Sequence, residues 1–326
     1  MIITKTPVRL SFFGGGTDYP AYFNRYPGAV LGTTINKYNF VTVNPLSPFF
    51  DYNYRISYSK QELVKNYQDI IHPSVRECLT YFNIEKGTEI NIVADLPARS
   101  GLGSSSTFTV GLINALYALK GINATKVQLA MDAVKIEQEL IGELVGSQDQ
   151  YHAAYGGLSK IDFNKNDVTV NTIDINKKYL KKFESQLLLF FTGQTRYANE
   201  ILDEQIKNTK TCVKDKYLMK MYNMVDIGID LLTKGDIESF GRLLDKSWNY
   251  KKELSTKITN EQINNLYSLA INAGAYGGKL AGAGSGGFLM FVVPEERKIS
   301  IRKALKNLLE VDFLFEKSGS KVIFKD

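Results

Sequence analysis

Asp95-Leu-Pro-Ala-Arg-Ser-Gly-Leu-Gly-Ser-Ser-Ser-Thr-Phe-Thr-Val110 is the stretch on which the reading of this 326-residue chain turns. Gly101 and Gly103 have no Cβ, so the backbone there can bend sharply and approach a bound group. Ser104, Ser105, Ser106 and Thr107 follow, and they open an apolar run over residues 108–119 that reads as a buried helix. A glycine-rich turn feeding a helix N-terminus offers unpaired N–H groups and the positive end of the helix dipole, which together suit a phosphate. No Gly-Lys-Ser/Thr follows the glycines, so this is not the common P-loop. Taken alone, the stretch reads equally well as a serine-capped helix after a turn. Two further segments tip the balance.

The first is Pro7-Val-Arg-Leu-Ser-Phe-Phe-Gly-Gly-Gly-Thr-Asp-Tyr-Pro20, and the second is Lys279-Leu-Ala-Gly-Ala-Gly-Ser-Gly-Gly-Phe288 with the strand-like residues 289–293 behind it. In order and spacing the three segments resemble the signature motifs of the GHMP kinases. They span residues 7–288, nearly the whole chain. The resemblance implies an α+β fold of two domains with the active site in the cleft between them. An N-terminal domain, residues 1–180, would carry the phosphate loop, and a ferredoxin-like C-terminal domain would occupy residues 181–326.

Composition allows a sizeable core and excludes some classes of partner. Apolar residues make up 44% of the chain, enough for a sizeable core. The net charge of +6 is dispersed, and the lysines at 177, 178, 181 and 182 read as one solvated helix face, so nucleic acid is not an expected partner. A mild positive excess suits anionic substrates. Cys78 and Cys212 lie far apart without metal-ligand spacing, which points to idle thiols in a reducing compartment. With only His72 and His152, a histidine metal site is not expected. No leader and no apolar run of bilayer length is evident, so the expected location is cytoplasmic and no membrane partner is expected. Monomer and homodimer both stay open.

Pattern and composition predict strands over residues 1–6, 39–43, 54–59 and 89–94, and helices over 75–83, 104–120 and 125–140. In the last helix Leu129, Ala133, Ile136 and Leu140 fall on one face. Hairpin strands follow at 158–163 and 168–175. A strand is then expected at 186–192, helices at 196–232, 237–251 and 260–273, a strand at 287–293, a helix near 299–309 and a last strand near 322–324.

The resemblance assigns roles to particular residues. Gly101, Leu102, Gly103, Ser104, Ser105 and Ser106 would bind the phosphates of ATP. Ser105 and Glu137 would hold Mg2+, with Glu139 a close competitor for the carboxylate. Phosphoryl transfer asks a protein chiefly for position and charge compensation, and Mg2+ takes hard oxygen ligands. Asp149, in Gly146-Ser-Gln-Asp-Gln150, would accept the proton of the attacking hydroxyl or orient it, and Arg9 would offset charge on the transferring group. Gly15, Gly16, Thr17 and Asp18 would meet the sugar, with Gly284 and Ser285 closing over it.

Galactokinases carry Gly-Glu-His where this chain has Gly14-Gly15-Gly16, so galactose is doubtful as the acceptor. Gly-Gly-Gly-Thr-Asp followed by Pro20, together with Asp95-Leu-Pro-Ala98 and Gln148-Asp-Gln-Tyr151, resembles the D-glycero-D-manno-heptose 7-phosphate kinases. L-fucose kinases carry a similar first motif and stand as the alternative. An acceptor that already bears a phosphate needs a second anion site, and Thr192-Gly-Gln-Thr-Arg196 offers two hydroxyls and the Arg196 guanidinium for it. Trp248, beside Lys251 and Lys252, reads more readily as core than as a wall of the cleft.

Overall fold

The computed structural model describes residues 1–85, 87–98, 100–193 and 199–326. The chain begins with β1 (Ile2–Phe13), α1 (Pro20–Phe23), β2 (Gly28–Pro45), β3 (Tyr54–Ser57) and β4 (Gln61–Val64). Next come α2 (Pro73–Tyr81), β5 (Thr88–Ala94), α3 (Ser104–Leu119), α4 (Lys126–Lys135) and a π-helical turn, Ile136–Leu140. After these lie α5 (Gln148–Tyr155), β6 (Ser159–Asn164), β7 (Asp167–Thr172), α6 (Lys177–Ser185), β8 (Leu187–Phe191), α7 (Asn199–Lys210), α8 (Asp215–Lys234) and α9 (Ile237–Lys252). The chain closes with α10 (Glu261–Asn272), β9 (Gly277–Leu280), β10 (Phe288–Val292), α11 (Lys298–Ala304), β11 (Leu309–Glu310), β12 (Phe315–Glu316) and β13 (Lys321–Lys325).

Two sheets organise these elements. The larger runs β13-β1-β2-β5-β3-β4, with β12 and the β6–β7 hairpin also paired to β2 through β12 and β6. The smaller is antiparallel, in the order β11-β8-β10-β9. Numbered along the chain that order is 4-1-3-2, with helices between the first and second strands and α11 between the third and fourth. This is the ferredoxin-like arrangement, so the expected α+β, two-part fold is observed. A division near residue 180 remains a proposal, and β12 and β13 add a qualification to it: both return to the first sheet.

Several expected elements differ in extent. β1 continues to Phe13 because every residue from Thr6 onward is buried, and β2 starts at Gly28 rather than residue 39 for the same reason. The helix expected over 196–232 is two helices. Cys212 takes a φ of +62°, a left-handed conformation that breaks the chain between α7 and α8. The helix expected over 125–140 keeps α geometry only to Lys135. In the π turn beyond it each turn takes up one extra residue, so Leu129, Ala133 and Ile136 are buried but Leu140 is 41% exposed.

α3 positions the site. It is apolar on every side and accordingly lies in the middle of the first half, packed against β1, β2, α2, α4 and α5. A second core joins the two sheets through Phe12, Phe13, Phe183 and Phe240, whose rings meet edge to face. A third lies beyond the smaller sheet. Trp248 belongs to it, 1% exposed, and so does not line the cleft. Lys177, Lys178, Lys181 and Lys182 sit on α6, whose only buried residue is Phe183. Cys78 and Cys212 are both free thiols.

Candidate active site

The N-terminus of α3 opens into a cleft between the two sheets. Gly103 is its N-cap, with φ +74° and no side chain to cap with, and no acidic residue lies in the first turn. The first intrahelical bond runs from Thr107 N–H to Gly103 O at 2.9 Å, so the N–H groups of Ser104, Ser105 and Ser106 have no carbonyl of their own helix. Asn39 fixes the turn from beneath, its amide donating to Ser104 O at 2.8 Å. Ser105 is exposed to the cleft. Gly101 and Gly103 line the cleft, whereas Leu102 points into the core and offers only its carbonyl, which accepts from Arg9 N–H at 3.1 Å.

The third glycine segment lies directly on this loop. Gly282 has φ +76°, and a Cβ there would come within 2.3 Å of the Gly101 Cα. Two backbones meeting so closely leave no room for any side chain, which is why glycine occupies both positions. Gly284 lines the cleft. Ser285 does not contribute its hydroxyl to the cleft as expected. That hydroxyl donates to Lys257 O, and Ser285 N–H donates to Ile258 O at 2.8 Å, so Ser285 braces the loop from behind.

Arg9 and Asp149 meet across the floor of the cleft. Arg9 Nε donates to Asp149 Oδ1 at 2.9 Å and Nη2 to Oδ2 at 3.0 Å, while Nη1 donates to Gly101 O at 2.6 Å. One guanidinium therefore holds both the phosphate loop and the carboxylate. Asp149 sits in the first turn of α5, where the helix dipole favours an anion. Asp18 lies beside it, buried. Its Oδ1 accepts from Gly16 N–H at 2.8 Å, and its Oδ2 from the Gln148 side chain at 2.9 Å. Burial, and then the negative charge of Asp149, raise the Asp18 carboxyl above its usual value. Gly146 packs on this carboxylate, and a Cβ there would fall 2.1 Å from Asp18 Oδ2.

Gly15 and Gly16 line the cleft, but Thr17 is an expected contact that the structure places elsewhere. Its hydroxyl lies 2.8 Å from Gly14 O and 2.9 Å from Ala29 O and accepts from Ala29 N–H at 3.0 Å, closing the turn internally. Arg196 lies outside the described residues.

Glu137 faces inward and Glu139 outward, because the π turn rotates this segment. Ser106 Oγ donates to Glu137 Oε2 at 2.7 Å and Gln150 Nε2 donates to the same oxygen at 2.5 Å. Ser106 is thus bonded to Glu137 directly, while Ser105, expected to share a metal ion with Glu137, faces the cleft. Among the described residues Glu137 Oε1 has no hydrogen-bond partner, and burial pushes the carboxyl up to about 7 against the pull of Thr109, Ser106 and Gln150. A buried, unpaired carboxylate oxygen next to a phosphate loop fits a hard cation. Among the described residues no cluster of three acidic, histidine or cysteine side chains forms a metal cage. Mg2+ at such a place would be held mostly by phosphates and water.

Two lysines of the cleft received no role from the sequence. Lys251, in the last turn of α9, and Lys279, on β9, are both buried and both line the cleft. Each stands in a segment noticed for another reason, the lone tryptophan and the third glycine run. No local pattern marks a lysine as inward-facing; only the burial of its neighbours Trp248 and Leu280 hints at it.

Comparison with known proteins brings the following. The sequence profile described as GHMP kinases N terminal domain matches residues 61–157, and that described as GHMP kinases C terminal matches residues 229–311. A D-glycero-alpha-D-manno-heptose 7-phosphate kinase of Campylobacter jejuni is 33% identical, the alignment covering 98% of each chain. A bifunctional fucokinase/GDP-fucose pyrophosphorylase of Arabidopsis thaliana is 24% identical over 94% of this chain but only 31% of its own length. Among solved structures, a D-glycero-D-manno-heptose 1-phosphate kinase from Bacteroides thetaiotaomicron superposes with a TM-score of 0.81 at 27% identity, covering both chains completely.

Proposed function

The chain belongs to the GHMP kinases and is a sugar kinase that uses ATP, and on that premise we propose that it phosphorylates the anomeric hydroxyl of D-glycero-D-manno-heptose 7-phosphate. The product is heptose 1,7-bisphosphate, a precursor of nucleotide-activated heptose for surface glycans. The observation that carries the reading is the bidentate Arg9–Asp149 pair next to the phosphate loop. With the γ-phosphoryl group on the N–H groups of Ser104 to Ser106, the acceptor hydroxyl lies against Asp149, which orients it and takes its proton. Asp149 keeps 23% of its side chain exposed, toward the cleft, and so can be reached. Arg9 holds Asp149 turned toward the loop, and Asp18 accepts from sugar hydroxyls.

Mg2+, held by Ser105 and Glu137, would neutralise the phosphate oxygens. Arg196 is proposed to meet the acceptor's own phosphate. L-fucose is the alternative acceptor, since a fucokinase is among the relatives. A sugar- and ATP-binding regulator is a third reading, against which stand the complete phosphate loop and the Arg9–Asp149 pair. Among the described residues no helix is long and apolar enough to cross a membrane, and the proposed working place is the cytoplasm.

ADP release measured over a panel of sugars and sugar 7-phosphates tests the assignment. The heptose 7-phosphate should give the highest kcat/KM. A higher value for unphosphorylated L-fucose sinks the heptose reading, and no ADP release with any sugar sinks the kinase reading.

A further inference from the structure

Lys251 and Lys279 approach the cleft from two different elements, and nothing in the transfer step described above uses them. Lys251 Nζ donates to Gly282 O, and Lys279 Nζ donates to Phe12 O at 3.0 Å. Among the described residues neither ammonium has a carboxylate partner. The neighbouring carboxylates are already engaged, Asp149 with Arg9 and Asp18 with Gly16 and Gln148. Glu143 also lines the cleft, but its field falls on Glu137. Two buried ammonium groups therefore lie near the Arg9 guanidinium, and main-chain carbonyls are the lysines' only partners among the described residues. Burying such charges is costly without a counter-ion.

We infer that Lys251 and Lys279 together form a phosphoryl-binding site on the second half of the chain, complementary to the phosphate loop on the first. A phosphoryl dianion is the ligand whose charge and oxygen count match two ammonium groups with unused donors. It can reach them from two sources: the γ-phosphoryl group in transit, or a phosphate ester already on the acceptor. The electrostatics agree with a site for an anion. Burial, and next the charge of Arg9, lower Lys251 to about 8 against the pull of Asp18 and Asp149. Burial, and next the charges of Lys251 and Arg9, lower Lys279 well below its ordinary value, with Asp18 opposing. A bound dianion reverses both shifts.

This inference rests on the kinase reading for its choice of ligand, and its test is separable from it. Inorganic phosphate is the probe, titrated calorimetrically into the protein without turnover, in the presence of a saturating non-hydrolysable ATP analogue and again without it. Phosphate should bind the wild type, and Lys251→Met or Lys279→Met should weaken it about 10- to 100-fold, as expected for a lost charge-assisted contact. Lys251→Arg should restore most of the binding. If the analogue abolishes the lysine-dependent binding, the anion is the transferring group; if both bind together and a sugar phosphate competes, it is the acceptor's phosphate. Binding that is insensitive to both lysines in folded variants overturns the site. Should the methionine variants not fold, tungstate soaked into wild-type crystals decides: density within hydrogen-bond reach of both Nζ atoms supports the site, and density elsewhere or none overturns it. A wild type that binds phosphate through the lysines yet releases no ADP with any sugar would instead remove the proposed function.

Discussion

Ser106 donates to Glu137 at 2.7 Å, while Ser105, one residue earlier, presents its hydroxyl to the cleft. The two serines consequently have separable roles. Ser105→Ala should raise the Mg2+ concentration needed for half-maximal activity, because it removes a hard oxygen. Ser106→Ala should act on stability instead, costing about 1–3 kcal/mol by leaving a buried carboxylate with one donor fewer. Magnesium titrations at fixed ATP and urea unfolding of both variants check this. Equal effects on the magnesium requirement would contradict the assignment.

Asp149→Asn preserves the shape of the residue but removes the charge that meets Arg9 and, in the proposed reaction, the acceptor hydroxyl. ATP binding should change little. Turnover should fall about 10²- to 10⁴-fold, the range for loss of a positioned proton acceptor. Equilibrium binding of a non-hydrolysable ATP analogue, set beside kcat, separates the two effects. A variant with wild-type turnover means that Asp149 has no part in the transfer.

Gly282→Ala should be among the most damaging single changes in the molecule. The new methyl group would press on the Gly101 backbone, and φ is already +76°. A strained position of this kind costs on the order of 1–3 kcal/mol, and here relief can come only by parting the two glycine loops. We expect a lower Tm and a raised KM for ATP together. A lowered Tm with an unchanged KM would show that the phosphate loop does not depend on its contact with Gly282.

His152 supplies a pH dependence. It is fully buried in α5, and burial, then the charge of Arg9, lower it to about 3 from 6.5. Between those values the unfolded chain binds a proton that the folded chain refuses, so stability drops as pH falls from 6.5 toward 3. Each pH unit in that window is worth up to about 1.4 kcal/mol. Unfolding free energies between pH 7 and 4 should therefore slope more steeply for the wild type than for His152→Leu, which has no such proton to refuse. Parallel slopes would mean that His152 is not held neutral.

The parts of the site legible in the sequence are those where backbone geometry forces a residue type. The glycines at 101, 103, 282 and 284 had to be glycine, and they announced the loops and their order. Asp149 and Arg9 could be found because they stand at fixed distances from those loops. Roles that depend on which way a side chain turns were not legible. Thr17 and Ser285 look like ligands of the sugar and are fasteners of their own turns, and the direct bond from Ser106 to Glu137 could not be read from a run of three serines. The π turn decides the direction of Glu137, and a one-residue change of helical repeat leaves no mark in composition. Lys251 and Lys279 were hidden for the converse reason, since lysine ordinarily faces solvent.

The pairing of Ile2 with Lys325 and of Ile35 with Phe315 has a bearing on how the protein is made. A ribosome delivers β1 and β2 well before β12 and β13, the strands that cover part of β2 and the outer edge of β1. Until β13 arrives the nascent first sheet exposes an unsatisfied edge, the kind of surface that pairs with other chains. The first sheet can thus begin to assemble early but is not sealed until β12 and β13 arrive, and over that interval aggregation competes with folding.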